Sequence, residues 1–265
     1  MNKKSILYQN KEVCYRRQGK GKTLVLLHGF LESMDIWNHF TERLSMKYEV
    51  LLIDLPGHGN SEMQAESHSM ELMAEVVNAV LEHLKIEHCT MIGHSMGGYV
   101  TLAFAEQYGA KLNGLGIFHS HAFADSTEGK INRGRAIQIV KEQHKDFISA
   151  FIPDLFTPKN KERYAKEIKL MQETSRKMSK EAVIAALEGM RHRTDKQKLL
   201  KKLDIPVLFI IGKQDPRTPL DKTIQLIALP KHSESLILDG VAHMGYIEAY
   251  EETLACVDHF VAICH

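Results

Sequence analysis

The stretch Gly93-His94-Ser95-Met96-Gly97 has the pattern G-x-S-x-G and lies between a short apolar run and a helix-like run, the setting in which that pattern has a mechanical meaning. A serine hydroxyl is a poor nucleophile in water; it needs a base beside it and a third group to orient that base. Holding it on a sharp turn lets the base approach from one side and a substrate carbonyl from another. Glycines at 93 and 97 leave the room that such a turn needs, and the helix opening at Met96 aims its free N–H groups where an oxyanion would develop. The pattern also occurs where a serine merely caps a helix. Here Cys89-Thr90-Met91-Ile92 before it, the added Gly98 and the small residues Ala103 and Ala105 after it favour the catalytic reading. His94, inside the turn itself, is expected to line the site or pack beneath it.

The elements that must position such a serine can be read along the chain. Ile6 to Gln9 and Glu12 to Arg16 suggest a hairpin, and Thr23 to Leu27 and Val50 to Asp54 are unbroken apolar runs suited to strands covered on both faces. A helix is expected around Ile36 to Leu44 and another over Met70 to Leu84, where Leu72, Val76, Val77, Val80 and Leu81 recur at helical period. Leu112 to His119, Val207 to Ile211 and Leu236 to Leu238 read as further strands, and a last helix as running from Tyr246 to the end. Strands alternating with helices predict an α/β chain, a mostly parallel, doubly wound sheet with helices on both faces. Between His121 and Lys202 the rhythm becomes charged and helical, with Pro153 and Pro158 breaking it near Phe156. This predicts a helical cap over 121–202, inserted into a core formed by 1–120 and 203–265.

Composition sets the class. The 265 residues are 44% apolar and 25% charged with a formal net charge of +1, so no strong field draws the molecule toward nucleic acid or anionic lipid. No signal peptide or membrane span is expected, and a cytoplasmic location follows from that reading. Cys14, Cys89, Cys256 and Cys264 are scattered, which points to ordinary thiols. His119 and His121 alternate on a strand-like segment without further ligands at zinc spacing, so no metal site is expected. Gly19-Lys20-Gly21-Lys22-Thr23 lacks the first glycine of a phosphate loop, Arg16 standing in its place, and it precedes a strand.

Taken together, His28-Gly29-Phe30, Asp54-Leu55-Pro56-Gly57-His58-Gly59-Asn60-Ser61, Gly93 to Gly98, Gly212-Lys213-Gln214-Asp215 and Gly240-Val241-Ala242-His243 resemble, in order and over nearly the whole chain, the α/β-hydrolase family, particularly its small esterases with a helical cap. The resemblance implies Ser95 as nucleophile, His243 as base and Asp215 as the acid that orients it, in the chain order serine, acid, histidine. Asp125, after the sixth strand, and Asp239, near the base, are alternative acids. The resemblance also assigns the oxyanion N–H groups to Phe30 and Met96, and a structural turn to Asp54 through Gly59. His28, Gly29, His94, Phe151 and Met190 are expected to contact substrate, with Phe147, Phe156, Met171 and Met178 completing an apolar roof.

The implied reaction is hydrolysis of small carboxylic esters through an acyl-serine, without metal or organic cofactor and with a small-molecule ester as the only partner. Carbon–carbon bond hydrolases, lactonases, thioesterases and cofactor-free haloperoxidases of the same family share the triad. A serine at 95 argues against dehalogenase or epoxide hydrolase chemistry, which would need aspartate there. A ligand receptor that keeps the triad is the reading of a different class. Oligomeric state is left open by the sequence.

Overall fold

The computed structural model describes residues 3–264. Eight strands form one sheet: β1 (Lys4–Tyr8), β2 (Lys11–Gln18), β3 (Thr23–Leu27), β4 (Glu49–Ile53), β5 (Cys89–His94), β6 (Leu112–Phe118), β7 (Val207–Gly212) and β8 (Ser233–Leu238). Their spatial order is β1-β2-β4-β3-β5-β6-β7-β8. Strand β2 pairs antiparallel with both of its neighbours, and all other pairings are parallel. The apolar runs behave as strands buried on both faces should: β5 and β7 have no exposed residue, while the edge strand β8 alternates outward and inward.

Helices α1 (Asn38–Leu44), α2 (Met70–His83), α3 (Met96–Tyr108), α9 (Leu220–Ile227), α10 (Gly245–Glu248) and α11 (Tyr250–Ile263) flank this sheet. Ser69 caps α2, its side chain accepting from Leu72 N, and Met73, Val76, Val77, Val80 and Leu81 turn one buried stripe to the core. Five helices lie between β6 and β7: α4 (Thr127–Phe151), α5 (Pro158–Arg163), α6 (Ala165–Ser175), α7 (Lys180–His192) and α8 (Gln197–Leu200). The two stems of this insertion meet, Lys196 N donating to Ala122 O at 2.7 Å. Pro153 opens a 3-10 turn directly after α4 and Pro158 stands at the start of α5, positions where a missing N–H costs nothing.

Two expectations are corrected, and one kink appears that the sequence did not mark. Strand β6 ends at Phe118, and His119 takes a left-handed φ of 47°, so His119 and His121 do not alternate along a strand. The last helix is interrupted at Ala249 (φ −142°, ψ 56°) because Glu248 turns back to accept from Ala242 N and Met244 N, both at 3.1 Å. The long helix α4 kinks at Gln143, where neither proline nor glycine marks the break.

Helix α3 carries the central load of the packing: Val100, Leu102, Ala103 and Phe104 are all buried. Phe104→Ala should therefore lower the free energy of unfolding by about 3 to 5 kcal/mol, read as an earlier midpoint at unchanged slope in urea denaturation.

Candidate active site

Strand β3 pairs with β4 on one side and β5 on the other, so the chain leaves its carboxyl end in opposite directions and opens a crevice there. Ser95 stands on that crevice between β5 and α3, at φ 51° and ψ −114°, a strained conformation for a residue with a side chain. Glycine is obligatory on both sides. A Cβ at Gly93 would come within 2.1 Å of Gly97 O, and one at Gly97 within 2.6 Å of His28 O. The turn is held from outside by Ser95 N donating to Phe118 O (2.9 Å) and Ser120 Oγ donating to Ser95 O (2.7 Å).

Ser95 Oγ lies 2.8 Å from His243 Nε2, and His243 Nδ1 lies 2.8 Å from Asp215 Oδ2. Among the described residues the structure thus brings together the serine, histidine and aspartate expected from the sequence. The carboxylate is heavily bonded: Oδ1 accepts from Arg217 N (2.8 Å) and Thr218 N (3.1 Å), and Oδ2 also accepts from Thr218 Oγ1 (2.5 Å) and His119 Nδ1 (3.2 Å). Burial by itself would raise the Asp215 pKa, but His243 and His119 outweigh it and hold the carboxyl well below the usual range. Burial pushes His119 down to about 4, so its ring is neutral and gives Asp215 its one N–H. His119, Asp215 and His243 also form a grouping of the kind that can hold a metal. The ring nitrogens facing Asp215 carry protons in this bonding scheme, however, and leave no lone pair for an ion.

The alternative acids are placed elsewhere. Asp125 is gripped by Arg133 and by Arg193 at 2.7 Å, and Asp239 is exposed beside Lys213 at 3.5 Å.

The His28-Gly29-Phe30 loop runs against the serine: a Cβ at Gly29 would sit 3.1 Å from Ser95 Cβ. Phe30 lines the pocket, and Met96 opens α3, where a first-turn N–H has no partner within the helix. His28 and Gly29, expected to contact substrate, lie behind the pocket wall and not among its lining residues. His28 is fully buried, donates from Nδ1 to Gly29 O (2.8 Å) and accepts Leu55 N at Nε2 (2.9 Å). It ties β3 to the turn after β4. In that turn Asp54 accepts from Met34 N (2.8 Å) and Asn60 N (2.9 Å), as befits a structural aspartate. His94 does border the pocket, but both of its ring nitrogens are committed: Nδ1 donates to Glu32 Oε2 (3.0 Å) and Nε2 to His243 O (2.9 Å).

A cavity of about 360 Å3 extends from Ser95 and His243 toward the insertion, where Phe147, Phe151, Leu187 and Met190 form apolar wall. Phe151 and Met190 thus fall where the sequence placed them; Phe156, Met171 and Met178 pack against the core instead of lining this cavity. The insertion also grips the loops it covers. Leu155 O accepts from His243 N (3.0 Å), Leu31 O from Ser175 Oγ (2.6 Å), and Gly240 O from Asn160 Nδ2 (3.1 Å). Sequence reasoning missed Glu32, His119 as a partner of the acid, and the arginines of the pocket. The only sequence signal for Glu32 is its place two residues after Phe30.

A family model described as alpha/beta hydrolase fold matches residues 22–250. The pimeloyl-[acyl-carrier protein] methyl ester esterase of Aeromonas hydrophila is 27% identical over 94% of this chain and 99% of its own length. A 2-hydroxy-6-oxononadienedioate/2-hydroxy-6-oxononatrienedioate hydrolase of Paraburkholderia phymatum is 29% identical over 90% of this chain and 87% of its own. Among solved structures, a thermophilic esterase from Thermogutta terrifontis superposes with a TM-score of 0.93 at 27% identity, covering 100% of both chains. No helix among the described residues is long and apolar enough to cross a membrane.

Beneath the triad, Glu32 and His94 form an ion pair whose side chains are 2% and 1% exposed. Burial opposes both charges, yet His94 pulls the Glu32 pKa below its ordinary 4.5, and Glu32 pulls the His94 pKa above its ordinary 6.5. The pair's contribution to stability is therefore complete between those two values. It fades as pH falls through the depressed carboxyl value or rises through the elevated imidazole value. Glu32→Gln should cost about 3 to 5 kcal/mol inside that window and progressively less on either side, as urea denaturation across a pH series would register.

Proposed function

We propose that this chain, which belongs to the alpha/beta hydrolase fold family, is a serine hydrolase that cleaves small carboxylic esters through an acyl-enzyme. The observation that carries the reading is the unbroken line of hydrogen bonds from Ser95 Oγ through His243 to Asp215, 2.8 Å at each step. Ser95 Oγ attacks the ester carbonyl carbon while its proton passes to His243 Nε2. Asp215 stays ionised and steadies the imidazolium, and the N–H groups of Phe30 and Met96 receive the charge that develops on oxygen. His243 then gives the proton to the departing alcohol. Water repeats the sequence on the acyl-serine, releasing the acid and restoring Ser95. Each proton has a donor and an acceptor among these residues, so no step calls on a metal or an organic cofactor.

In this reading residues 121–202 act as a cap that shapes the acyl or alcohol site, and the partner is a small ester, not nucleic acid or membrane. The four cysteines are all unpaired, which fits a reducing, cytoplasmic setting. The oxononadienedioate hydrolase relative favours a second reading, carbon–carbon bond hydrolysis by the same residues.

Purified protein should turn over p-nitrophenyl acetate and butyrate steadily. Ser95→Ala should abolish that turnover and Asp215→Asn should lower kcat by roughly 10⁴-fold. A single stoichiometric burst would instead indicate a receptor, and activity confined to vinylogous diketones would favour carbon–carbon cleavage.

A further inference from the structure

The charged groups on the pocket wall do not balance. Its carboxylates are Glu32 and Asp125, and its permanent cations are Arg133, Arg193 and Arg217. Glu32 is spent on His94, Gly29 N and Tyr246 Oη. Asp125 serves two arginines at once, Arg133 through Nε and Arg193 through Nη1. Arg193 is further engaged through Nε on Phe123 O (3.1 Å) and Nη1 on Met190 O (2.8 Å), with its guanidinium 4.1 Å over the Tyr99 ring. His121 adds no charge, because burial and then Arg193 push it down to about 3.

The other two guanidinium groups on this wall, Arg133 and Arg217, are engaged less than Arg193. Arg133 uses Nε on Asp125 and rests Nη1 near Met190 Sδ at 3.6 Å. Arg217 has no carboxylate within salt-bridge distance among the described residues, and its guanidinium stacks 4.4 Å over the Phe151 ring. The nearby acids are occupied elsewhere, Asp154 by Lys161 at 2.8 Å and Asp215 by the five bonds described above. Phe151 in turn packs on Phe30 at 5.6 Å. The sequence of contacts runs from the oxyanion loop across an apolar ring to an unpaired fork of N–H donors, the geometry that suits a planar carboxylate.

We propose that Arg217 and Arg133 form a carboxylate-binding end of the pocket, so that the substrate is an ester that also carries a free carboxylate. The substrate class is then a half-ester of a dicarboxylic acid or an ester of a hydroxy acid, with the ester at Ser95 and the anion at the arginines. This rests on the serine-hydrolase reading for the bond that is broken but not for the anion that is bound.

The test pairs each charged ester with an uncharged one of equal length: monoethyl esters of C4 to C7 dicarboxylic acids against ethyl alkanoates, and O-acyl hydroxy acids against their methyl esters. The charged members should lead by roughly tenfold or more in kcat/KM, and whichever set leads identifies the source of the carboxylate. Arg217→Met and Arg133→Met should each shrink that ratio at least severalfold, whereas Lys231→Met, which removes the same charge far from the pocket, should leave the ratio in place. Calorimetric binding of the half-esters to Ser95→Ala should weaken in the same two arginine variants. Equal or better hydrolysis of the uncharged esters, or arginine variants that leave the ratio and the binding untouched, overturns the proposal. Retained arginine-dependent binding without any ester turnover overturns the hydrolase reading instead.

Discussion

The constraint on which everything else depends is the turn at Ser95. Its left-handed backbone costs on the order of 1 to 3 kcal/mol and is held by two neighbouring strands, β6 and β3, and the segments that leave them. β6 accepts its N–H, Ser120 from the chain beyond β6 holds its carbonyl, and the loop after β3 presses so close that Gly97 cannot carry a side chain. A serine fixed this firmly gains reach without gaining freedom, and reach is what a hydroxyl needs to meet both an imidazole and an electrophilic carbon.

Under that turn the polar groups are arranged in two tiers. The upper tier is Asp215 with its donors, which fixes the tautomer of His243 and can stabilise its charged form. The lower tier is Glu32, His94 and Tyr246, which reaches His243 at its main-chain carbonyl oxygen through His94 Nε2. Both tiers are buried, where low polarity strengthens satisfied bonds and penalises broken ones. The orientation of His243 is therefore defined from its side chain and from its main chain at once.

Much of this was legible in the sequence. The strand runs Thr23 to Leu27 and Val207 to Ile211 announce a sheet covered on both faces because nothing polar interrupts them, and Gly93 to Gly98 marks its own turn. The family resemblance ranks Asp215 ahead of Asp125, but local patterns give no physical reason for the order. That choice is made in space, where two arginines occupy Asp125 and two histidines meet at Asp215. Adjacency to a pocket loop says nothing about which way a side chain points, and the His28 ring turns to Gly29 O and Leu55 N. The kink at Gln143 falls where neither proline nor glycine stands, and the break at Ala249 leaves no compositional trace, since the bonds of Glu248 to Ala242 N and Met244 N accompany it. Glu32 was invisible for the same reason: its partners lie 62 and 214 positions away.

The bonds between the insertion and the loops beneath it bear on how large molecules would be treated. Leu155 holds the main chain of His243, Ser175 reaches the loop beside Phe30, and Asn160 grips the turn leading to His243. A trapdoor that lifted as one piece would thus loosen the very groups it exposes, and the open form would be a disarmed one. Widening the mouth of the cavity therefore means parting bonds that hold His243 and the loop beside Phe30, not merely swinging side chains aside.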